Sequence, residues 1–323
     1  MINWLAIGPA LVLLMASGLN AADIYPARSI RMIVPFSAGG AGDIIARLMS
    51  IKLAEGLGQQ VVIDNRPGGG SVLGTELAAR ANPDGYTLIL VATAHALNPG
   101  LLGKLPFDPV EDFAPITLAV ETPLIFVVPT SFAVNNLREL ITLAKTGPNS
   151  LTYGSAGQGT SGHLATELLS FKTGIRILHV PYKGASPALI DLLGAQIQMV
   201  CTSTLPALPH VRAGQLRGLA VTSIARSRAA ADIPTVAEAA SLADYRASTW
   251  YALLAPARTP APIVMKVHSA AMRALRSSAV TEQLLAQGAE PVASTPDQLR
   301  LFMQNEIDIW TKVIRQANIR PST

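Results

Sequence analysis

The sequence predicts an α/β protein of two domains, each a mainly parallel sheet flanked by helices. Three observations predict it. Apolar, β-branched runs alternate with helical patterns twice, over 30–92 and again over 151–222, and parallel strands need such crossovers. Two strands end in glycine-rich corners that open helices, Ser37–Asp43 and Gly154–His163. Two long extended runs, Ile116–Pro129 and Ala247–Ala255, read as passages between the domains. With two passages, the first domain is built from both ends of the chain, 23–123 and 246–323, and the second, 124–245, is an insert.

Composition excludes several function classes. The 323 residues are 50% hydrophobic and 14% charged, enough for one large core or two modest ones. The net charge of +4 is scattered rather than clustered, which argues against nucleic acid. Aromatic residues make up only 5%, so base-stacking platforms are not expected. Cys201 is the only cysteine, so neither a disulfide framework nor a cysteine-based metal site is available. It reads as a small buried hydrophobe. His95, His179, His210 and His268 show no ligand spacing. No metal and no cofactor is expected.

Residues 1–22 contain no charged side chain, and Trp4–Ala16 is an apolar block followed by a small, polar end. This reads as a secretory signal cleaved after Ala21 or Ala22. The block lacks the usual Lys or Arg ahead of it, and an uncleaved anchor is the other reading. It is short for a membrane span and contains Pro9.

The elements follow in order. Ser29–Pro35 is a strand and Ile44–Leu57 a helix with Ile45, Leu48, Leu53 and Leu57 near one face. Gly58 ends that helix. Gln60–Asp64 is a strand, and 65–70 is a third glycine-rich corner. The helix Val72–Arg80, a turn at Asn82–Gly85 and the strand Tyr86–Ala92 complete the first alternation. Asn98–Pro115, rich in Pro and Gly, carries no periodic signal. Asn136, with Glu139 three residues on, caps a helix whose apolar face is Leu137, Leu140, Ile141 and Ala144.

The second alternation places a short strand at Leu151–Tyr153 and a helix at Leu164–Lys172. A strand at Ile175–Val180, a turn at Pro181–Gly184 and a helix at Pro187–Leu193 come next. Ile197–Cys201 is a strand with Thr202-Ser203-Thr204 as its polar end, followed by a short helix Leu205–Ala213 and the strand Leu216–Thr222. Thr235–Glu238 is a capping box. Helical stretches at Pro262–Arg276 and Val280–Ala286 precede a last helix. Thr295 caps it, Pro296 takes its first position, and it runs to about Gln316.

The corners carry the chemistry. The first N–H groups of a helix lack internal partners and sit at the positive end of its dipole. Glycines let a ligand approach that backbone. Ser37–Asp43 is therefore either an anion cradle or an ordinary turn that uses Gly39, Gly40 and Gly42 for unusual dihedrals. Asp43 has the wrong charge to touch an anion and is read as a cap that accepts backbone N–H groups. The second corner matches Gly157-x-Gly159-x-x-Gly162, the dinucleotide fingerprint. That fingerprint needs an acid about 20 residues on, where this chain has His179-Val180-Pro181-Tyr182-Lys183. No phosphate-loop lysine motif exists either, and nucleotides are set aside. Ser161 misses nucleophile-elbow spacing, so a hydrolase built on His163 with Ser155 or Ser161 lacks support in the spacing.

Co-linear motifs then carry a family. They are Val34–Gly40 with Asp43, Asn65–Gly68, Pro83–Thr87, Asp112–Pro115, Ser155–Thr160 with His163 and Val180–Gly184. They continue through Ile233–Glu238, Ser248–Trp250 and Gly288–Pro291. Together they resemble the substrate-binding proteins of tripartite tricarboxylate transporters, the Bordetella uptake gene or Bug family, across essentially the whole chain after the leader.

The resemblance implies a periplasmic, flytrap-like binding protein that is not an enzyme. Its ligand would be a small carboxylate: a di- or tricarboxylate, an acidic amino acid or an aromatic acid. Its partner would be a membrane permease, with a monomeric receptor expected and no nucleic acid. One loop from each domain grips the carboxylate through backbone groups: Phe36, Ser37, Ala38, Gly39 and Gly40, and Ser155, Ala156, Gly157, Gly159 and Thr160. Asp43 and His163 match supporting positions. Thr93 and Ala94, Thr202 and Ser203, and Tyr182 are expected to line the cleft. Lys183 either faces it or is a solvated loop lysine. Thr202 stands where the family often has an acid, which puts in doubt a ligand ammonium there. A sensor feeding a signalling partner is the alternative to transport.

Overall fold

The structure, a computed structural model, describes residues 25–147, 151–243 and 245–316. The expected leader, 1–22, lies outside the described residues. In the first alternation, β1 (Ile30–Val34) leads into α1 (Ala41–Leu57), β2 (Val61–Asn65), α2 (Val72–Ala79), β3 (Thr87–Ala92) and α3 (Ala94–Leu102). The long strand β4 (Phe113–Pro129) follows, then α4 (Leu137–Ala144), β5 (Thr152–Ser155), α5 (Ser161–Thr173) and β6 (Leu178–Pro181). Next come α6 (Ala185–Leu193), β7 (Met199–Ser203), α7 (Thr204–Arg212), β8 (Leu216–Val221) and α8 (Val236–Ala240). The return strand β9 (Ser248–Pro256), α9 (Ala261–Arg276), α10 (Ser278–Ala286), β10 (Glu290–Pro291) and α11 (Pro296–Gln316) finish the chain.

Ten strands run in the order β2-β1-β3-β9-β4-β7-β5-β6, with β10 and β8 also paired to β4. The outer strands are parallel: β1 with β2 and β3, β5 with β6 and β7. The middle is antiparallel, because β4 and β9 carry the chain across and back. β4 is shared. Phe113–Pro123 pairs with β9, while Leu124–Pro129 lies between β7 and β8. A strand of 17 residues is far longer than the usual five or six or so, since each half serves a different sheet.

Helices cover both faces of each sheet. In the first body α1, α9 and α10 bury Ile45, Met49, Val267, Ala270 and Leu284 on one face. On the other, α2 and α11 bury Ala78, Leu299 and Met303. In the second body α4, α5 and α8 supply Leu137, Leu140, Leu169 and Val236. Its opposite face takes Leu189, Leu192 and Leu208 from α6 and α7.

The capping signals act as read. Asn136 accepts the Glu139 N–H. Thr235 and Glu238 form a reciprocal box, and Thr295 and Gln298 do the same at the last helix. Several boundaries differ from expectation, with α5 starting at Ser161 rather than Leu164, β6 at Leu178 rather than Ile175 and β4 at Phe113 rather than Ile116. Helix α1 begins at Ala41 rather than Ile44, because its first turn, Ala-Gly-Asp, has no apolar periodicity to announce it. Residues 94–102 form a helix despite Pro99. Ala94, Ala96, Leu97, Asn98 and Leu101 are all buried, so tertiary packing outweighs weak local propensity.

Candidate functional site

Between the two bodies lies a cavity with ≈ 40 Å³ of space open to the centres of water molecules. Its wall is assembled from helix starts. The N-termini of α1, α3, α5, α6 and α7 all reach it, through Gly40–Gly42, Ala94, Thr160–Gly162, Ala185 and Ser203 respectively. At none of these five starts does an N-cap side chain satisfy the first amides. Among the described residues, no charged side chain lines the cavity. Each N-terminus carries roughly half a positive charge. The field in the cavity is therefore positive, and it comes from backbone alone.

Local sequence explains each start. Gly39 sits at φ 76, and the chain turns sharply from β1 into α1. Asp43, the third residue of α1, reaches back and accepts the Gly39 N–H at 2.9 Å, while Arg47 donates to the same oxygen at 2.9 Å. Burial alone would raise the Asp43 carboxyl. Hydrogen bonds from Arg47, Gly39 and Asn65 outweigh it and hold the pKa low. Asp43 is 3% exposed, and these bonds brace the corner.

The second corner is braced by histidine. His163 Nδ1 accepts the Gly159 N–H at 3.3 Å, and Thr160 donates to the Gly157 carbonyl at 2.7 Å. His163 stacks on His179 with centroids 4.3 Å apart. Burial, with the neighbouring imidazole, lowers the His163 pKa to about 3. Burial lowers His179 to about 4. Both rings are neutral at physiological pH. Ser155 Oγ pairs with His179 at 2.7 Å, so Ser155 and His163 are not a nucleophile and its base.

Of the residues expected at the cleft, Phe36, Gly40, Ala94, Ala156, Thr160, Thr202 and Ser203 line the cavity. The others sit nearby in other roles. The Ser37 N–H donates to the Lys183 carbonyl at 3.2 Å, and Ser186 donates to the Ala38 carbonyl at 2.7 Å. Ser37, Ala38 and Gly39 thus form a seam between the bodies. Thr93 accepts the Trp250 N–H and pairs with Thr249, holding β9 behind the wall. Ser155 is fully buried beneath its loop. Gly157 and Gly159 form the loop tip, packed on Gly70 and Asn98. The Tyr182 hydroxyl donates to Asp191 at 2.6 Å.

The structure adds wall residues that sequence reasoning did not place at the cleft, Ala92, Leu124, Ala185, Cys201, Thr249 and Tyr251, and extends the two corners' share of the wall to Ala41, Gly42, Ser161 and Gly162. Tyr251 is the largest of them. Burial raises its phenol, partly offset by the Ser203 and Thr249 hydroxyls, to about 12, so it stays a neutral hydrogen-bonding group. Its signal was the Ser-Thr-Trp-Tyr run at the return crossing. Cys201, its thiol pushed up by burial, is an inert part of the wall.

Known proteins resemble this chain along nearly its whole length. The family described as "Tripartite tricarboxylate transporter family receptor" matches residues 45–319. Protein BugT of Bordetella pertussis is 39% identical over 301 residues, 93% of this chain and 92% of BugT. An R. palustris protein solved with adipate is 35% identical, with a TM-score of 0.88 over 92% of this chain and 100% of its own. MatC from Rhodopseudomonas palustris, solved with bound malate, is 32% identical, with a TM-score of 0.86 over 90% of this chain and 100% of its own. The same fold is found in solved periplasmic binding proteins.

Proposed function

Because the chain belongs to the tripartite tricarboxylate transporter family of receptors, we propose that it captures a small dicarboxylate between its two bodies and delivers it to a membrane permease. The family is one of solute-binding receptors and not of enzymes, which sets aside the hydrolase reading of His163.

The observation that carries the ligand class is the convergence of five uncapped helix starts on a cavity without charged side chains. Five half-charges amount to roughly two and a half positive charges, which suits an anion of two negative charges. Desolvating a carboxylate is costly, so its donors must be aligned beforehand. Helix amides are aligned by the fold. An amino acid fits less well, because no acidic side chain lines the cavity to meet its ammonium group. The adipate and malate seen in the two R. palustris proteins are both dicarboxylates, in keeping with this charge.

In this reading the ligand-binding residues are Phe36, Gly40, Ala94, Ala156, Thr160, Thr202 and Ser203, joined by Tyr251. The two domains are 23–123 with 246–323, and 124–245. The cavity lies between the two bodies, so a ligand enters and leaves when the domains part. They rotate about β4 and the start of β9, as in hinge closure around ligands. The protein works in the periplasm as a monomer, exported by its leader.

Isothermal titration calorimetry against malate, adipate, succinate, citrate, aspartate and nicotinate tests the ligand class. Tight binding of a dicarboxylate, with aspartate at least about tenfold weaker, is the expected result. Preference for aspartate, or binding of none of these acids, would overturn it. Delivery is tested by uptake of that acid in cells lacking this protein and its cognate permease, singly and together.

A further inference from the structure

The third glycine-rich corner, 65–70, takes no part in the cavity wall. It lies instead beneath the tip of the second corner. Gly70 has φ +60, and a Cβ built on it would stand 2.0 Å from the Gln158 carbonyl oxygen. A Cβ on Gly157 would stand 3.5 Å from Gly70 Cα. Asn98, 1% exposed, ties this corner to α3 by donating from Nδ2 to the Gly70 carbonyl at 3.0 Å. Its Oδ1 is buried without a hydrogen-bond partner. It faces Gly159 so closely that a Cβ there would lie 2.2 Å away. Leu97 and Leu101 of α3, Leu164 of α5 and Ile314 of α11 cluster beside it.

We propose that Gly70 and Asn98 are positioning residues for ligand binding, forming a latch that the loop tip Gly157-Gln158-Gly159 engages only when the two domains meet. The proposal rests on the capture reading above. Ala156 and Thr160, on either side of that tip, line the cavity. Tip and flanks are tied together by the Thr160 and His163 hydrogen bonds to the loop backbone, so seating the tip fixes the flanks. Glycine is required at Gly70 because backbone meets backbone there.

The orphaned Asn98 Oδ1 gives the latch a bias. A buried acceptor without a partner is unfavourable, and opening the domains returns it to water. The apolar cluster around Leu164 favours closure, and the amide oxygen favours release. Closure is thereby held reversible, as a receptor that must surrender its cargo requires.

The test compares wild type with Gly70→Ala, Asn98→Ala and the control Gly58→Ala. Gly58 shares a positive φ but has open space around it, so the control carries the backbone strain without the clash. Spin labels on the exposed faces of α1 and α4 report the distance between domains by double electron–electron resonance. Stopped-flow measurements with malate report kon and koff. Gly70→Ala should lengthen the distance even without ligand and raise koff by about tenfold or more, with kon little changed. Asn98→Ala removes the orphaned oxygen that favours release and should lower koff by about threefold to tenfold; a wild-type or raised koff overturns the bias. Gly58→Ala should leave both readouts at wild-type values. A Gly70→Ala protein with wild-type distances overturns the latch, as does one with wild-type koff. If wild type binds no carboxylate, the capture reading fails, and the ligand-free distances still decide the latch.

Discussion

At the residue scale, the sharpest distinctions are steric and electrostatic. A Cβ at Gly40 would meet the Ser37 carbonyl at 3.4 Å and Ala185 at 3.9 Å or more, so alanine fits there. The branched methyls of Gly40→Val must enter the cavity, and calorimetry should show affinity reduced about tenfold or more with the fold intact. Thr202→Asp places a carboxylate in a wall without cations. It should abolish dicarboxylate binding within the range of calorimetry, while circular dichroism stays unchanged. Two buried histidines, His95 and His163, and the half-buried His179 set an acid limit. Burial lowers His95 to about 4, His163 to about 3 and His179 to about 4. The unfolded chain binds protons on these rings at higher pH than the folded one does. Stability is therefore full above about pH 6.5 and declines as pH falls toward 4, by up to roughly 1.4 kcal/mol per pH unit for each ring. Urea unfolding at pH 7, 6 and 5 measures the slope. His163→Asn and His179→Asn should each flatten it. The family resemblance pointed to Phe36, Gly40, Ala156 and Thr160, which line the cavity, whereas glycine spacing alone left the first corner open between a cradle and an ordinary turn. Neither could mark Tyr251 or Ala185, which reach the cavity only because strand and helix ends converge in space.

At the element scale, local chemistry was the most legible part of the chain. The boxes at Asn136, Thr235 and Thr295 are built from residues three apart, so neighbours in sequence are neighbours in space. Asp43 shows the limit of that reading. A cap was expected, yet the residue lies inside the first turn and reaches backward to Gly39. Asp43→Ala should cost about 1–2 kcal/mol in urea unfolding and weaken ligand binding through the loosened corner. Gly162 illustrates the opposite case. A Cβ there would lie 2.1 Å from the Cys201 carbonyl. Gly162→Ala must push the start of α5 off β7, lowering stability by roughly 1–3 kcal/mol. Helix α3 was invisible because Pro99 and Gly100 speak against a helix locally. Burial of Ala94 through Asn98 all round the helix and the close approach of Gly100 to Thr311 in α11 decide the matter.

At the scale of the whole molecule, two extended passages in the sequence were read as crossings between a domain made from both ends of the chain and an inserted one, and the long strands β4 and β9 occupy those passages. That β4 would be a single strand serving both sheets was not legible, because its pairing partners lie in four other segments. Ligand at about one hundred times its Kd should stabilise the protein by about 2.7 kcal/mol, raising the melting temperature by several degrees in a thermal-shift assay. The position of β9 has a consequence for how the chain assembles. It lies between β3 and β4, pairing Ile89–Ala92 on one side and Phe113–Pro123 on the other. Until residues 248–256 have been synthesised and delivered, β3 and β4 cannot complete the first sheet, and β3 presents an unpaired edge. The inserted body suffers no such delay, since its paired strands from Leu124 to Val221 are already present. Assembly should therefore begin in the middle of the chain and finish at its ends, with the first sheet waiting on the most distant contacts and setting the slow step.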